Sequence, residues 1–312
     1  DITRLELLNL ELPNMEIDRR ELKHRAREAM GAASPPFWLV TLVYVLMTTG
    51  VNLVVHLVTT MTTDPASGFS QTGFFLSLLT VMYRLVVAFG FQLWCLWTVR
   101  RLSPGLGSLI QGFSVWGRVL WMEILIYLRV FLTCFVLLFA VLFLTTALFP
   151  NLLYQLYSPL LLANLLTVPV SLLIWVLMLR YSLAPYLLAD RPDDGASAAV
   201  RRSTELMRGW TWELFKLELS FLGWMAVNFV LSFLVQLYFL WSGGLFQLIQ
   251  SSDWLAVLSL LDSVTSSGLV YAITALVTLP VTLWLAPYRG VARAGFYHER
   301  LALQQRNAPP LI

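Results

Sequence analysis

Six long apolar stretches, broken internally by only three formal charges, leave this chain few ways to fold in water. Residues 37–60 run 24 positions without a charge, and a helix needs about 20 to cross a hydrocarbon core. Residues 74–98, 119–149, 160–179, 219–240 and 264–285 form five comparable stretches. Hydrophobic residues make up 58% of the chain and charged residues 12%, against about 45–50% and 25% in soluble domains. A soluble fold has no place to hide so much apolar surface. Backbone polar groups in lipid must be satisfied internally, and barrel strands would require an apolar–polar alternation that is absent here. The expected fold is therefore all-α: a polytopic membrane bundle of six transmembrane helices.

The cationic residues orient that bundle. Residues 1–36 carry six Lys or Arg, 99–118 three, 180–218 six and the segment from 286 onward four. The intervening segments 61–73, 150–159 and 241–263 carry none, and their only acids are Asp64, Asp253 and Asp262. Retention of basic loops inside predicts a multi-pass protein of the bacterial cytoplasmic membrane with both termini cytoplasmic. The polar first 36 residues lack the short apolar core of a cleavable signal. Residues 1–14 read as a leader, either a cloning remnant or a misplaced start, because Met15 opens a plausible frame of its own. The expected organisation is that leader, an amphipathic cytoplasmic helix within 15–36, a six-helix transmembrane domain over 37–301 and a cytoplasmic tail over 302–312.

The basic segments share a plan. Each of the three that precedes an outgoing span ends in a glycine and an aromatic anchor: Gly31 with Phe37 and Trp38, Gly112 with Phe113 and Trp116, and Gly209 with Trp210 and Trp212. The sequence Leu-Ala-Pro-Tyr recurs at 183–186 and 285–288, where Pro185 and Pro287 would stop or bend a helix leaving lipid. Tyr186 and Tyr288 would then sit at headgroup depth. Three hairpins related by rotation about the membrane normal account for the pattern; ordinary punctuation at membrane exits is the competing account. In the third basic segment, Asp193 and Asp194 supply N-cap chemistry and Gly209 a C-terminal stop. Ala196, Ala199, Val200, Ser203, Leu206 and Met207 fall on one helical face, which could lie at the anionic inner leaflet but is first expected to pack beneath the bundle. Residues 17–30 are similar, and Arg19, Arg20, Lys23 and Arg27 could contact lipid headgroups or serve only as topology determinants.

Residues 179–190, 203–209 and 217–224, the last ending in Trp224, together with Pro287, Tyr288 and 292–297, resemble the bacterial domain-of-unknown-function family 975. The resemblance spans roughly residues 17–301. It implies a multispanning cytoplasmic-membrane protein related in general form to the membrane domain of some glycerophosphodiester phosphodiesterases, and it brings no activity or catalytic residues.

Arg84 and Arg129 fall about 15 Å along their spans at 1.5 Å per residue, near mid-membrane, where a charge costs about 2.5–3.5 kcal/mol. Glu123 is the sole acid candidate to compensate them. The surplus positive charge is met either by pairing and snorkelling or by an anionic ligand held between helices. His56 is isolated, Asn164 and Asn228 suit interhelical hydrogen bonds, and Pro169 and Pro280 should kink their spans. Cys95 and Cys134 form neither a disulfide framework nor a metal pair. No phosphate loop, zinc helix or nucleophile elbow occurs, so the sequence calls for no catalytic centre, metal or cofactor. The charge is dispersed, which argues against nucleic acid. The leading expectation is a non-enzymatic protein that binds, senses or handles a lipid or amphiphile near Arg84, Arg129 and Glu123. A small-solute or peptide transporter is second, and a scaffold docking a protein partner through its cytoplasmic helices third. The sequence sets no oligomeric state.

Overall fold

In a computed structural model, which describes residues 18–63, 70–148 and 159–306, helices carry the whole architecture and no strand occurs among the described residues. Six helices are long and apolar enough to cross a membrane. The first is α2 (Phe37–Thr62), α-helical except for a π-helical turn at Leu46–Gly50. The others are α3 (Gln71–Val99), α5 (Trp116–Leu148), α6 (Pro159–Leu179), α10 (Leu222–Ser242) and α13 (Gly268–Arg306). They are paired as expected: α2 packs on α3, α5 on α6, and α10 on α13. The leader 1–14 and the last six residues lie outside the described residues, as do Asp64 and the side chain of Asn164.

Shorter helices gather at the end of the bundle that carries the basic segments. They are α1 (Arg19–Gly31), α4 (Ser108–Gln111), α7 (Ala184–Asp190), α8 (Ala196–Leu206) and α9 (Thr211–Leu219). At least one precedes each outgoing span. At the opposite end α11 (Leu245–Gln250) and α12 (Trp254–Thr265) expose Phe246, Trp254, Leu255 and Leu258. The burial pattern separates two environments. α10 buries no residue fully and turns Phe229, Phe233 and Leu234 outward, as a lipid-facing helix does. The densest core lies at the basic end, where Met30, Trp94, Leu183, Tyr186 and Tyr297 are almost wholly enclosed.

The post of this core is α13. Its 39 residues extend about 58 Å at 1.5 Å per residue, nearly twice a hydrocarbon thickness of about 30 Å. The helix passes through both Pro280 and Pro287. Of the two expectations for Pro287, a stop or a bend, the stop is thus corrected, while its counterpart Pro185 does open a new element, at the first turn of α7. A proline removes one backbone hydrogen bond, and contacts with α1, α3 and α10 along α13 outweigh that loss.

The predicted face of α8 is wholly buried: Ala196, Ala199, Val200, Ser203, Leu206 and Met207 all pack inward. Its start differs from expectation. Asp193 and Asp194 belong to a separate 3-10 turn, and Gly195 occupies the N-cap with φ 83°, so neither aspartate caps the helix. Asp194 pairs instead with Arg202. Gly209, with φ 79°, reverses the chain after α8 as expected.

Two glycines set the closest approach of α3 to the segment before α5. A Cβ on Gly90 would lie 2.3 Å from the Leu109 carbonyl oxygen, and one on Gly112 would lie 2.5 Å from that of Val86. Both obstacles are backbone. Gly90→Ala is therefore expected to destabilise by about 1–3 kcal/mol despite the better helix propensity of alanine. Thermal unfolding in one detergent checks this against Gly117→Ala, where nothing lies within 4 Å and no loss is expected.

Candidate functional site

Asp18 caps α1 by accepting a 2.8 Å hydrogen bond from the Arg20 backbone N–H. Leu22, Ala26, Ala29 and Met30 then form its buried face. With that face fixed against α13, Arg19, Arg20, Lys23 and Arg27 point along one side of a groove of about 770 Å³. Ser220, Trp224, Trp284 and Tyr288, from the junction before α10, α10 itself and α13, line the rest. The four cations expected to meet headgroups thus converge with Trp224 and Tyr288, two residues singled out only as structural markers.

The groove carries excess positive charge. Asp18 is its only acid among the described residues. Lys23 Nζ donates to Ser220 Oγ at 3.3 Å and lies 5.1 Å from the centroid of the Phe221 ring. Arg19, Arg20 and Arg27 make no side-chain ion pair among the described residues. Burial, and then the charge of Arg27, hold the Lys23 ammonium below the usual lysine range. An anion in the groove would relieve that strain between like charges.

Beneath the groove the site is braced by groups that sequence reasoning missed. Glu218, 2% exposed, receives a 2.9 Å hydrogen bond from Arg293 Nε and pairs with Arg289 as well. Arg100 grips Asp190 with two hydrogen bonds of 2.7 and 2.6 Å, and Tyr297 donates to the same carboxylate at 2.8 Å. These clusters tie α9 and α7 to α13, and Tyr186 stacks on Tyr297 between them. Arg300 lies 4.2 Å from the Trp210 ring centroid and donates to the last carbonyl of α8, that of Leu206, at 2.9 Å. A lone acid between Leu217 and Leu219, with arginines four apart at 289 and 293, was the available signal.

The intramembrane charges are arranged differently from expectation. Arg84 and Arg129 are both exposed on the outer surface of the bundle, and Glu123 is half-buried. None of the three has an ion pair among the described residues, and none lines the basic groove. The expected interhelical site around Arg84, Arg129 and Glu123 is therefore not assembled. Helical depth alone carried no information on which way each side chain faced. No cluster of three or more His, Cys, Asp or Glu side chains suited to a metal occurs among the described residues.

The family described as "Protein of unknown function (DUF975)" matches residues 15–305. No curated protein and no solved structure matches the chain.

Proposed function

We propose, for a chain that belongs to the DUF975 family and takes no activity from it, that the basic aromatic groove binds the headgroup of an anionic lipid or amphiphile. The protein is read as a non-enzymatic lipid handler of the bacterial cytoplasmic membrane. Its basic end faces the cytoplasm, as the retention of cationic loops favours. The observation that carries the reading is the meeting of four cations with Trp224 at the start of α10 and with Trp284 and Tyr288 midway along α13. Indole and phenol rings favour headgroup depth, and each Lys or Arg near an anionic surface contributes about 1 kcal/mol. The groove uses the cations expected at lipid headgroups and lies apart from the intramembrane site expected at Arg84, Arg129 and Glu123, while keeping the same ligand charge.

Native mass spectrometry of the purified protein, offered equal amounts of phosphatidylglycerol and phosphatidylcholine, tests the reading. Preferential retention of the anionic lipid, weakening as salt rises, is expected. Equal retention of the two would overturn it.

A further inference from the structure

A second cavity lies within the predicted membrane thickness, and its chemistry is the opposite of the basic groove. α2 packs on α13 through both of its α-helical halves. Beside the π-helical turn between those halves, a cavity of about 210 Å³ is lined by Thr49, Tyr271, Thr274, Thr278 and Thr282 together with apolar side chains. π-helical turns inside α-helices recur at functional sites. On α13 the spacing of three and four places these hydroxyls on one face, in a helix whose neighbouring residues are apolar. Thr49 is about 18 Å along α2 from Phe37 at 1.5 Å per residue, close to the midplane of a core about 30 Å thick.

The cavity contains polar capacity that the protein does not use. Thr274 Oγ1 is buried and has no hydrogen-bond partner among the described residues, whereas Thr278 and Thr282 donate to carbonyls of the preceding turn at 2.8 and 3.0 Å. Asn228 of α10, which is not itself a lining residue, donates to Thr282 at 3.5 Å and leaves its own Oδ1 buried and unpartnered among the described residues. Buried polar atoms are normally paired, and an unpaired one in hydrocarbon is costly. No charged side chain among the described residues lines the space. It is several times the roughly 30 Å³ share of one water, yet smaller than a pocket that encloses a whole drug-sized ligand. Leu46 and Leu276, each next in sequence to a lining residue, are exposed and offer a surface for hydrocarbon chains outside it.

We infer that this cavity binds the uncharged, hydroxyl-bearing end of a neutral lipid such as a diacylglycerol, with its chains lying on the lipid-facing surface. A neutral hydroxyl reaches this depth at far lower cost than a phosphate, and it supplies both a donor and an acceptor for Thr274 and its neighbours. The site stands on its own geometry and does not depend on the basic groove.

Photo-crosslinking separates the two. Diazirine-bearing diacylglycerol and phosphatidic acid with identical chains, which differ only by the phosphate, are each introduced into nanodiscs holding the full chain. Adducts are then mapped by peptide mass spectrometry. Diacylglycerol adducts are expected at residues 45–49 and 271–282, and phosphatidic acid adducts near 220–224. Thr274→Val removes the unpaired hydroxyl at constant shape and Ala275→Leu fills the space. Each should cut the diacylglycerol adducts about fivefold, the worth of roughly one net hydrogen bond, and leave the phosphatidic acid adducts unchanged. Thr274→Val should also melt at or above the wild-type temperature, because it buries no new polar group. A lower melting temperature would assign the hydroxyl to structure and overturn the inference. Diacylglycerol adducts spread evenly over the spans, cavity adducts formed as well by phosphatidic acid, or adducts unchanged in Thr274→Val would each do the same. Phosphatidic acid adducts absent from 220–224 would count against the headgroup groove alone. If Ala275→Leu does not fold, Thr274→Val carries the test.

Discussion

Glu218→Leu is expected to lower the stability of the purified protein by about 3 kcal/mol, the largest single-residue effect anticipated at the basic end. Removing one partner of a buried ion pair typically costs about 3–5 kcal/mol, because the opposite charge stays behind without compensation. Here two guanidiniums stay behind, Arg289 and Arg293. Their side chains keep 31% and 24% of their surface exposed, so water relieves part of the penalty and the lower end of the range applies. Unfolding in a fixed detergent measures the loss. The triple variant Glu218→Leu, Arg289→Leu, Arg293→Met removes all three charges and is expected to recover most of it, since apolar replacement of a buried charged cluster is often neutral. A Glu218→Leu protein as stable as wild type would show that the cluster does not fasten α9 to α13.

The same carboxylate makes acid stability directional. Burial alone would raise the pKa of Glu218, but the charges of Arg293 and then Arg289 outweigh it and hold the group below its ordinary value of 4.5. The folded state therefore binds the proton less readily than the unfolded chain. Its contribution is complete above about pH 4.5 and is lost as pH falls through the lower folded value. Glu218→Gln should flatten the stability profile below pH 4.5, where wild type declines, and differ most from wild type near neutrality.

Much of this fold is legible in sequence because lipid imposes one dominant rule. A run of about 20 apolar residues needs no tertiary partner to be recognised, and spans α2, α3, α5, α6, α10 and α13 begin and end within a few residues of expectation, apart from the long extension of α13 at its end. The inward face of α8 was readable from its 3-and-4 spacing for the same local reason. Features that depend on distant partners were hidden. Glu218 meets Arg289 and Arg293 across separations of 71 and 75 residues, and Lys23 meets Ser220 across 197. Pro287 carries a local signal for helix termination that tertiary packing overrides. The basic cluster of α1 and the aromatic anchors were each visible alone, but their convergence was not. Conversely, Arg84 and Arg129 looked like a joint site because depth along a helix can be counted, whereas the direction a residue faces depends on neighbours.

Neutralising that basic cluster should affect ligand binding far more than folding. The combined variant Arg19→Gln, Arg20→Gln, Lys23→Gln, Arg27→Gln is expected to weaken phosphatidylglycerol binding about 10²–10³-fold at low ionic strength. Each charge near an anionic surface contributes about 1 kcal/mol, or roughly fivefold in affinity, and four such terms set the upper bound. Lys23 should contribute most as a single change, because it is the one half-buried cation of the four and its charge is the least screened. In 1 M salt, where the screening length falls to about 3 Å, the wild type and variant should converge toward the contribution of Trp224, Trp284 and Tyr288. Stability should shift by no more than about 1 kcal/mol. Among the described residues, the side-chain hydrogen bonds, ion pairs and cation–π contacts of these four cations are limited to those of Lys23 with Ser220 and Phe221. Titration with lipid in mixed micelles at two salt concentrations, alongside melting curves, reads both quantities. Binding within threefold of wild type would remove the groove as the headgroup site, while a large fall in melting temperature would reveal α1 as a strut whose charges hold the bundle itself.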